Sequence, residues 1–386
     1  MREVSVIGVG MHKFGKFPEK GIEDLGGEAC LKALQDSGVE PKEIEAVYCG
    51  LALAEITPGQ RIAYEVGVPG VPTYNFENAC ASGSTAFNNA WKAVASGVHD
   101  IALVIGAESM SRIISGVIPI PPTVLMVKMG MYAPSLFAVF AHRHMKEYGT
   151  TLEQIAMVSV KNHDNGVLNP YAQYQKNFTV EQIRNSRMIS DPITLLECSP
   201  TGDGAAAAII CPSDIAKKYT DRAIKAKASV MTIGGYQSDA PLLYSYEAFK
   251  SAQEAYKMAG INPKDLDVLE LHDCFTIAEL MWYESIGLCE KGESGKLIEE
   301  GVTWLTGELP VNPSGGLLAK GHPIGATGVA QICELVWQLR GEAGPRQVDD
   351  AEIAMALNMG GVNPGLMAGM ASNVFNVANT TILSNK

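Results

Sequence analysis

Apolar and polar positions along this chain alternate between two rhythms. Short unbroken apolar runs read as buried strands. Asp100-Ile-Ala-Leu-Val-Ile and Glu352-Ile-Ala-Met-Ala-Leu are two of them, each after a long helical stretch. The opening stretch, Met1 to Gly15, reads as a first strand and lacks the apolar core of a signal peptide. Strands alternating with helices predict layered α/β sheets with covered faces.

The same plan occurs twice. Residues 33–47 read ALQDSGVEPKEIEAV, and residues 255–269 read AYKMAGINPKDLDVL. In each, a helix ends at a glycine (Gly38, Gly260), a Pro-Lys-acid turn follows (Pro41, Pro263), and an apolar strand begins. This predicts two similar α/β halves, 1–108 and 223–386. Between them, 109–222 is too long for a plain connection and is expected to be a functional lobe.

Composition narrows the class. The 386 residues suit two or three lobes, and 47% hydrophobic with 19% charged residues is ordinary for a globular chain. A net charge of -12 argues against nucleic-acid binding, which needs a basic face. The insert differs, with 11 Lys and Arg against 9 Asp and Glu, so it is where an anionic ligand is least repelled. No apolar run approaches the roughly 18 residues of a membrane span. The 8 cysteines show no CxxC pairing and read as thiols of a reducing, cytoplasmic compartment.

Four short motifs carry candidate chemistry. Cys80 stands in Asn78-Ala-Cys-Ala-Ser-Gly-Ser-Thr, between a strand-like stretch and a helical run over 86–95. A helix N-terminus there would favour the thiolate and lower the thiol pKa. His322 stands in Gly321-His-Pro-Ile-Gly-Ala-Thr-Gly, where it could serve as the thiol's base. His272-Asp-Cys-Phe ends an apolar strand, the place where α/β proteins usually hold their sites. His272 could donate to an oxyanion, and Cys274 could shuttle a proton. Asn358-Met-Gly-Gly follows another strand, and its glycines let backbone N–H groups face a ligand. Each motif alone also has a plain structural reading as a turn, a helix entrance or a buried cysteine.

Together, in this order and across essentially the whole chain, the four motifs resemble the thiolase superfamily. The resemblance implies duplicated α/β halves in a five-layered α-β-α-β-α arrangement, with the insert 109–222 as a loop domain that binds CoA. It implies that Cys80 is the acylated nucleophile and His322 its activator. It places His272 on the thioester oxygen, and the amides of Cys80 and Gly361 in a second oxyanion hole. Most thiolases carry a second catalytic cysteine where this chain has Asn358. The sterol-carrier-protein-type and archaeal branch carries His-Asp-Cys-Phe instead, as here, so the acid/base role falls to Cys274.

The implied reaction condenses two acetyl-CoA into acetoacetyl-CoA and free CoA, with no metal or other cofactor. Lys161 and His163, in the insert, are candidate CoA contacts. Resemblance further implies a homodimer or homotetramer, a mevalonate-pathway role, and association with hydroxymethylglutaryl-CoA synthase through a small zinc-binding acyl-CoA-associated protein. A longer-chain 3-ketoacyl-CoA thiolase and a non-catalytic acyl-CoA-binding protein are the alternatives. Ile114 to Met131 is the candidate acyl-pocket stretch.

Overall fold

The computed structural model describes residues 1–53, 56–68, 70–114, 116–118, 125–234, 243, 245–361 and 377–386. The first half runs β1 (Val4–Met11), α1 (Ile22–Ser37), β2 (Ala46–Gly50), α2 (Pro58–Glu65), β3 (Thr73–Phe76), α3 (Ser82–Ser96) and β4 (Ala102–Ser109). An excursion follows with α4 (Leu125–Lys128), α5 (Ala133–Tyr148), α6 (Leu152–Val167), α7 (Val180–Arg184) and the hairpin β5 (Met188–Ser190) and β6 (Ile193–Thr194). The chain returns through β7 (Asp203–Pro212) and α8 (Ser213–Ala216). The second half comprises β8 (Ile224–Ile233), α9 (Tyr246–Ala259), β9 (Val268–Glu270), α10 (Thr276–Ser285), α11 (Ser294–Glu299), α12 (Thr327–Arg340), β10 (Ile353–Gly360) and β11 (Val377–Ser384).

The repeat seen in the sequence is a repeat of geometry. Helices α1 and α9 both end at a left-handed glycine, Gly38 with φ 73° and Gly260 with φ 71°. Both are followed by a one-turn 3-10 helix whose last residue, Glu43 or Asp265, caps the turn's own first amide. Positive φ is strained for any residue with a Cβ, which is why glycine ends both helices.

The strands line up as β3-β2-β4-β7-β1-β8-β11-β10-β9. Outward from the middle, β1-β7-β4-β2 and β8-β11-β10-β9 repeat one pattern, antiparallel, antiparallel, then parallel. Among the described residues, the two half-sheets pair at Ser5–Lys225 and Val6–Ile224. Where the first half has β3, the second has, among the described residues, a single parallel bridge, Leu269 to Val311. Helix α1 covers the outer face of the first half-sheet, and α9 that of the second. Helices α3 and α12 lie between them, each touching strands of both halves. That makes five layers, with separate apolar cores outside, between and beyond the half-sheets.

Charge set off 109–222 as one unit, but β7 is built into the main sheet between β4 and β1. Its ten positions are all buried, because small and apolar residues fill both faces. The excursion that leaves the sheet therefore runs from 110 to 202. Asp203 ties its two feet together, accepting from the Ser111 amide at 2.7 Å and from the Phe17 amide at 2.6 Å.

Candidate active site

Loops from both halves meet where α3 and α12 cross. Cys80 sits just before α3, after Ala79, which is held at φ 48° although it is not glycine. That strained turn is fixed by its own bonds. The Ser82 amide and hydroxyl both reach the Ala79 carbonyl, at 3.1 and 2.6 Å, and the Asn78 amide donates to Ser82 Oγ at 2.9 Å. Such strain persists only where the surroundings over-determine it. Cys80 itself is half-buried, with Ala81 and Ser82 buried behind it.

The β10 loop closes against this turn. A Cβ on Gly360 would overlap the Asn78 carbonyl and the Ala81 amide, so only glycine allows the approach. Gly361 follows at φ 71° and is half-buried.

His272 and His322 come from the second half. Their rings meet edge-on, 5.2 Å between centroids at 81°. The Cys80 sulfur and one ring nitrogen of each histidine all lie within 4.8 Å of one another. His322 is anchored by Nδ1, 2.7 Å from Thr327 Oγ1. Thr327 already gives its one proton to the Pro323 carbonyl at 3.0 Å, so it accepts from His322. The His322 proton is therefore on Nδ1, and Nε2, which has no hydrogen-bond partner among the described residues, offers a lone pair to the site. His272 is held through its carbonyl by Trp282 Nε1 at 2.8 Å.

The electrostatics reverse one expectation. Burial first, and then the Glu108 carboxylate, push the Cys80 thiol up to about 12, opposite to the lowering expected from the helix terminus. Burial also holds His322 down at about 3, helped by Lys320, and keeps His272 well below its ordinary value. The resting pair is thus thiol and neutral imidazole, not thiolate and imidazolium. A neutral imidazole can act as the thiol's base.

Glu108 was not singled out in the sequence. It is buried at the end of β4 and accepts from the amides of Ala52 (2.9 Å), Leu53 (3.3 Å) and Gly325 (3.1 Å). It pins the β2 loop to the His322 loop. The available signal was a carboxylate closing an otherwise apolar run at the point where the excursion begins.

Cys274 is buried, and burial with Cys80 nearby raises its thiol well above the ordinary range. Its carbonyl takes the Ser199 amide at 3.0 Å, so the segment leading out of the excursion braces it. The adjacent Asp273 accepts from the Leu317 and Leu318 amides at 2.7 and 3.2 Å and from Asn162 Nδ2 at 2.8 Å. Burial and Glu279 push its carboxyl up to about 7.

Lys161 and His163 are not placed as CoA contacts. Lys161 is fully buried, 2.6 Å from Glu279 and 2.8 Å from the Val311 carbonyl. His163 is buried between Tyr174 and Phe178, with Nδ1 at 2.9 Å from the Ser159 carbonyl. Both lie on inward faces of α6, the lysine in a buried ion pair and the histidine packed against aromatic rings. Of the candidate acyl-pocket stretch, Ile114 and Ile118 pack with Leu53, Met110 and Ile324 beside Cys80. Residues 119–124 lie outside the described residues.

Comparisons with known proteins place the chain in a family. Residues 4–214 match the model of the thiolase N-terminal domain, and residues 228–368 that of the thiolase C-terminal domain-like family. The chain belongs to the thiolase family, and it is an enzyme of the acyltransferase class. It is 46% identical over 94% of its length, and 97% of the relative's, to an acetyl-CoA acetyltransferase of Methanothermobacter thermautotrophicus. It is 38% identical over 93% of its length, and 70% of the relative's, to sterol carrier protein 2 of Homo sapiens. Human mitochondrial 3-ketoacyl-CoA thiolase shares the fold, with a TM-score of 0.74 at 18% identity, over 99% of this chain and 98% of that one.

Proposed function

We propose that the chain condenses two acetyl-CoA into acetoacetyl-CoA and free CoA, reversibly, by a ping-pong route. The observation that carries this is the gathering of a nucleophilic sulfur, a base and a donor within 4.8 Å, together with similarity to archaeal acetyl-CoA acetyltransferases at 46% and 40% identity. His322 takes the Cys80 proton as sulfur attacks the first thioester, and CoA leaves. Acetyl stays on Cys80.

The departing CoA thiolate needs a proton, and Cys274 holds one at rest. Giving it up leaves Cys274 as the base that removes a methyl proton from the second acetyl-CoA. The enolate oxygen then needs a preorganised donor, which His272 supplies. The enolate carbon attacks the acetyl group, and the amides of Cys80 and Gly361 hold the resulting oxyanion. Cys80 leaves as thiolate and regains its proton. No step calls on a metal or a further cofactor.

A homo-oligomer is part of this reading. Among the described residues strand β3 has a sheet neighbour on one side only, and Tyr74 on it is exposed. Supply of acetoacetyl-CoA to hydroxymethylglutaryl-CoA synthase in the mevalonate pathway, through a small zinc-binding acyl-CoA-associated protein, belongs to the same proposal. Among the described residues no helix is long and apolar enough to cross a membrane. Incubation with acetyl-CoA alone, followed by chromatography of CoA esters, tests the reaction. Equal release of acetoacetyl-CoA and CoA is expected. Thiolysis confined to longer 3-ketoacyl-CoA would replace the proposal with the longer-chain reading.

A further inference from the structure

We infer that Asn358 is a positioning residue that fixes the tautomer of His272 and so gives the two active-site histidines opposite roles. The inference rests on the acetyl transfer proposed above and adds how that site divides its labour. Asn358 Nδ2 lies 3.1 Å from His272 Nδ1, and Asn358 Oδ1 lies 2.8 Å from Ser84 Oγ. A carboxamide oxygen only accepts and its nitrogen only donates. With the Ser84 proton on the oxygen, the amide must present N–H to His272. Nδ1 then accepts, and the one proton of the neutral ring sits on Nε2.

His322 shows the reverse. Thr327 accepts from its Nδ1, which leaves Nε2 with a lone pair. One imidazole is thus a base toward Cys80, and its neighbour is a donor toward a substrate oxygen. Two neutral histidines in one pocket would otherwise be interchangeable. Their second partners, a hydroxyl and a carboxamide, make them different.

The lock is built from both halves. Ser84 lies in the first turn of α3, where its hydroxyl also approaches the Ala81 carbonyl at 2.9 Å. Asn358 stands on β10. Gly328, at the start of α12, packs on both. A Cβ there would overlap the Ser84 amide and lie 2.9 Å from Asn358 Oδ1. Bare backbone at Gly328 keeps the amide and hydroxyl face to face. Asn358 also occupies the place of the second catalytic cysteine in most thiolases. With that proton chemistry moved to Cys274, the position is free for a neutral amide.

The rival arrangement is specific. If Ser84 gives its proton wholly to Ala81, the amide reverses and the His272 proton moves to Nδ1. Nitrogen NMR of the full chain labelled with ¹⁵N-histidine separates the two, and Nε2 protonation of His272 is expected. In Asn358→Ala that signal should become a mixture of tautomers. Exchange of acetyl-CoA methyl hydrogens with heavy water should fall in proportion to the Nε2–H fraction lost, toward the roughly 10²–10³-fold cost of a fully lost oxyanion donor. Acetylation of Cys80 should stay within a few-fold of native. Ser84→Ala should weaken methyl exchange in the same direction by a smaller factor, with unchanged thermal unfolding.

Nδ1 protonation in the native chain would overturn the inference. So would exchange and acetylation falling in step, or exchange unaffected in both variants. If the native chain keeps the Nε2 tautomer but forms no acetyl adduct, the acetyl-transfer proposal fails and the tautomer assignment stands.

Discussion

In the first half, the loop that enters α3 carries Cys80; in the second, the loop that enters the matching α12 carries His322. After β2 the chain offers amides of Ala52 and Leu53 to the Glu108 carboxylate; after the matching β9 it offers His272, Asp273 and Cys274. The strand order is shared and the loop chemistry is not. One half supplies the sulfur and a carboxylate that pins loops. The other supplies both imidazoles and the second thiol. Packing α3 against α12 is what brings unlike loops from like halves to one point. The duplication thus builds an asymmetric site from a symmetric frame.

The largest test of that division falls on the second half. His322→Asn should lower Cys80 acetylation and condensation together by about 10²–10⁴, as loss of a general base does. Pre-steady-state mass analysis follows the first, and acetoacetyl-CoA formation the second. A variant that acetylates at native rate would move the base elsewhere. Cys274→Ala should split the two half-reactions unequally. Cys80 should still acetylate, slowed by loss of the proton donor to the leaving CoA, while condensation, which also loses its base, falls further, by about 10²–10⁴. Equal loss in both steps would make Cys274 part of the nucleophile's machinery.

A third change leaves the reacting groups alone. Lys161→Met removes the cation paired with the fully buried Glu279 and should lower unfolding free energy by about 3–5 kcal/mol. The denaturant midpoint measures it. Native stability with weakened CoA binding would restore Lys161 as a ligand.

The smallest effect concerns the resting thiol. With Cys80 pushed up to about 12, raising pH frees more thiolate throughout the working range. Alkylation at Cys80 in the ligand-free chain should therefore climb about tenfold per unit between about pH 7 and 9. A plateau below about pH 8 would indicate a resting thiolate–imidazolium pair instead.

Much of this arrangement was legible in the sequence, for identifiable reasons. Gly38 and Gly260 each end a helix at positive φ, and that requirement left a visible repeat. Cys80, His272, Cys274 and His322 stand at strand or helix ends, where local pattern points. What the sequence hid depends on long-range partners. Lys161 looks like a loop cation until Glu279 is seen beside it. Glu108 gathers amides from residues 52, 53 and 325, a contact no local window contains. The excursion's end was misplaced because β7, rich in alanine and isoleucine, joins the sheet by pairing with strands far back in the chain. The helix-terminus argument for Cys80 omitted burial, which outweighs it here.

Intact-mass analysis after incubation with acetyl-CoA, comparing the native chain with Cys80→Ser, tests the central claim most directly. A gain of one acetyl group, mapped to Cys80 and missing from the variant, is the result this account predicts. A chain that binds CoA esters yet never gains that mass, or gains it at another cysteine, would contradict it.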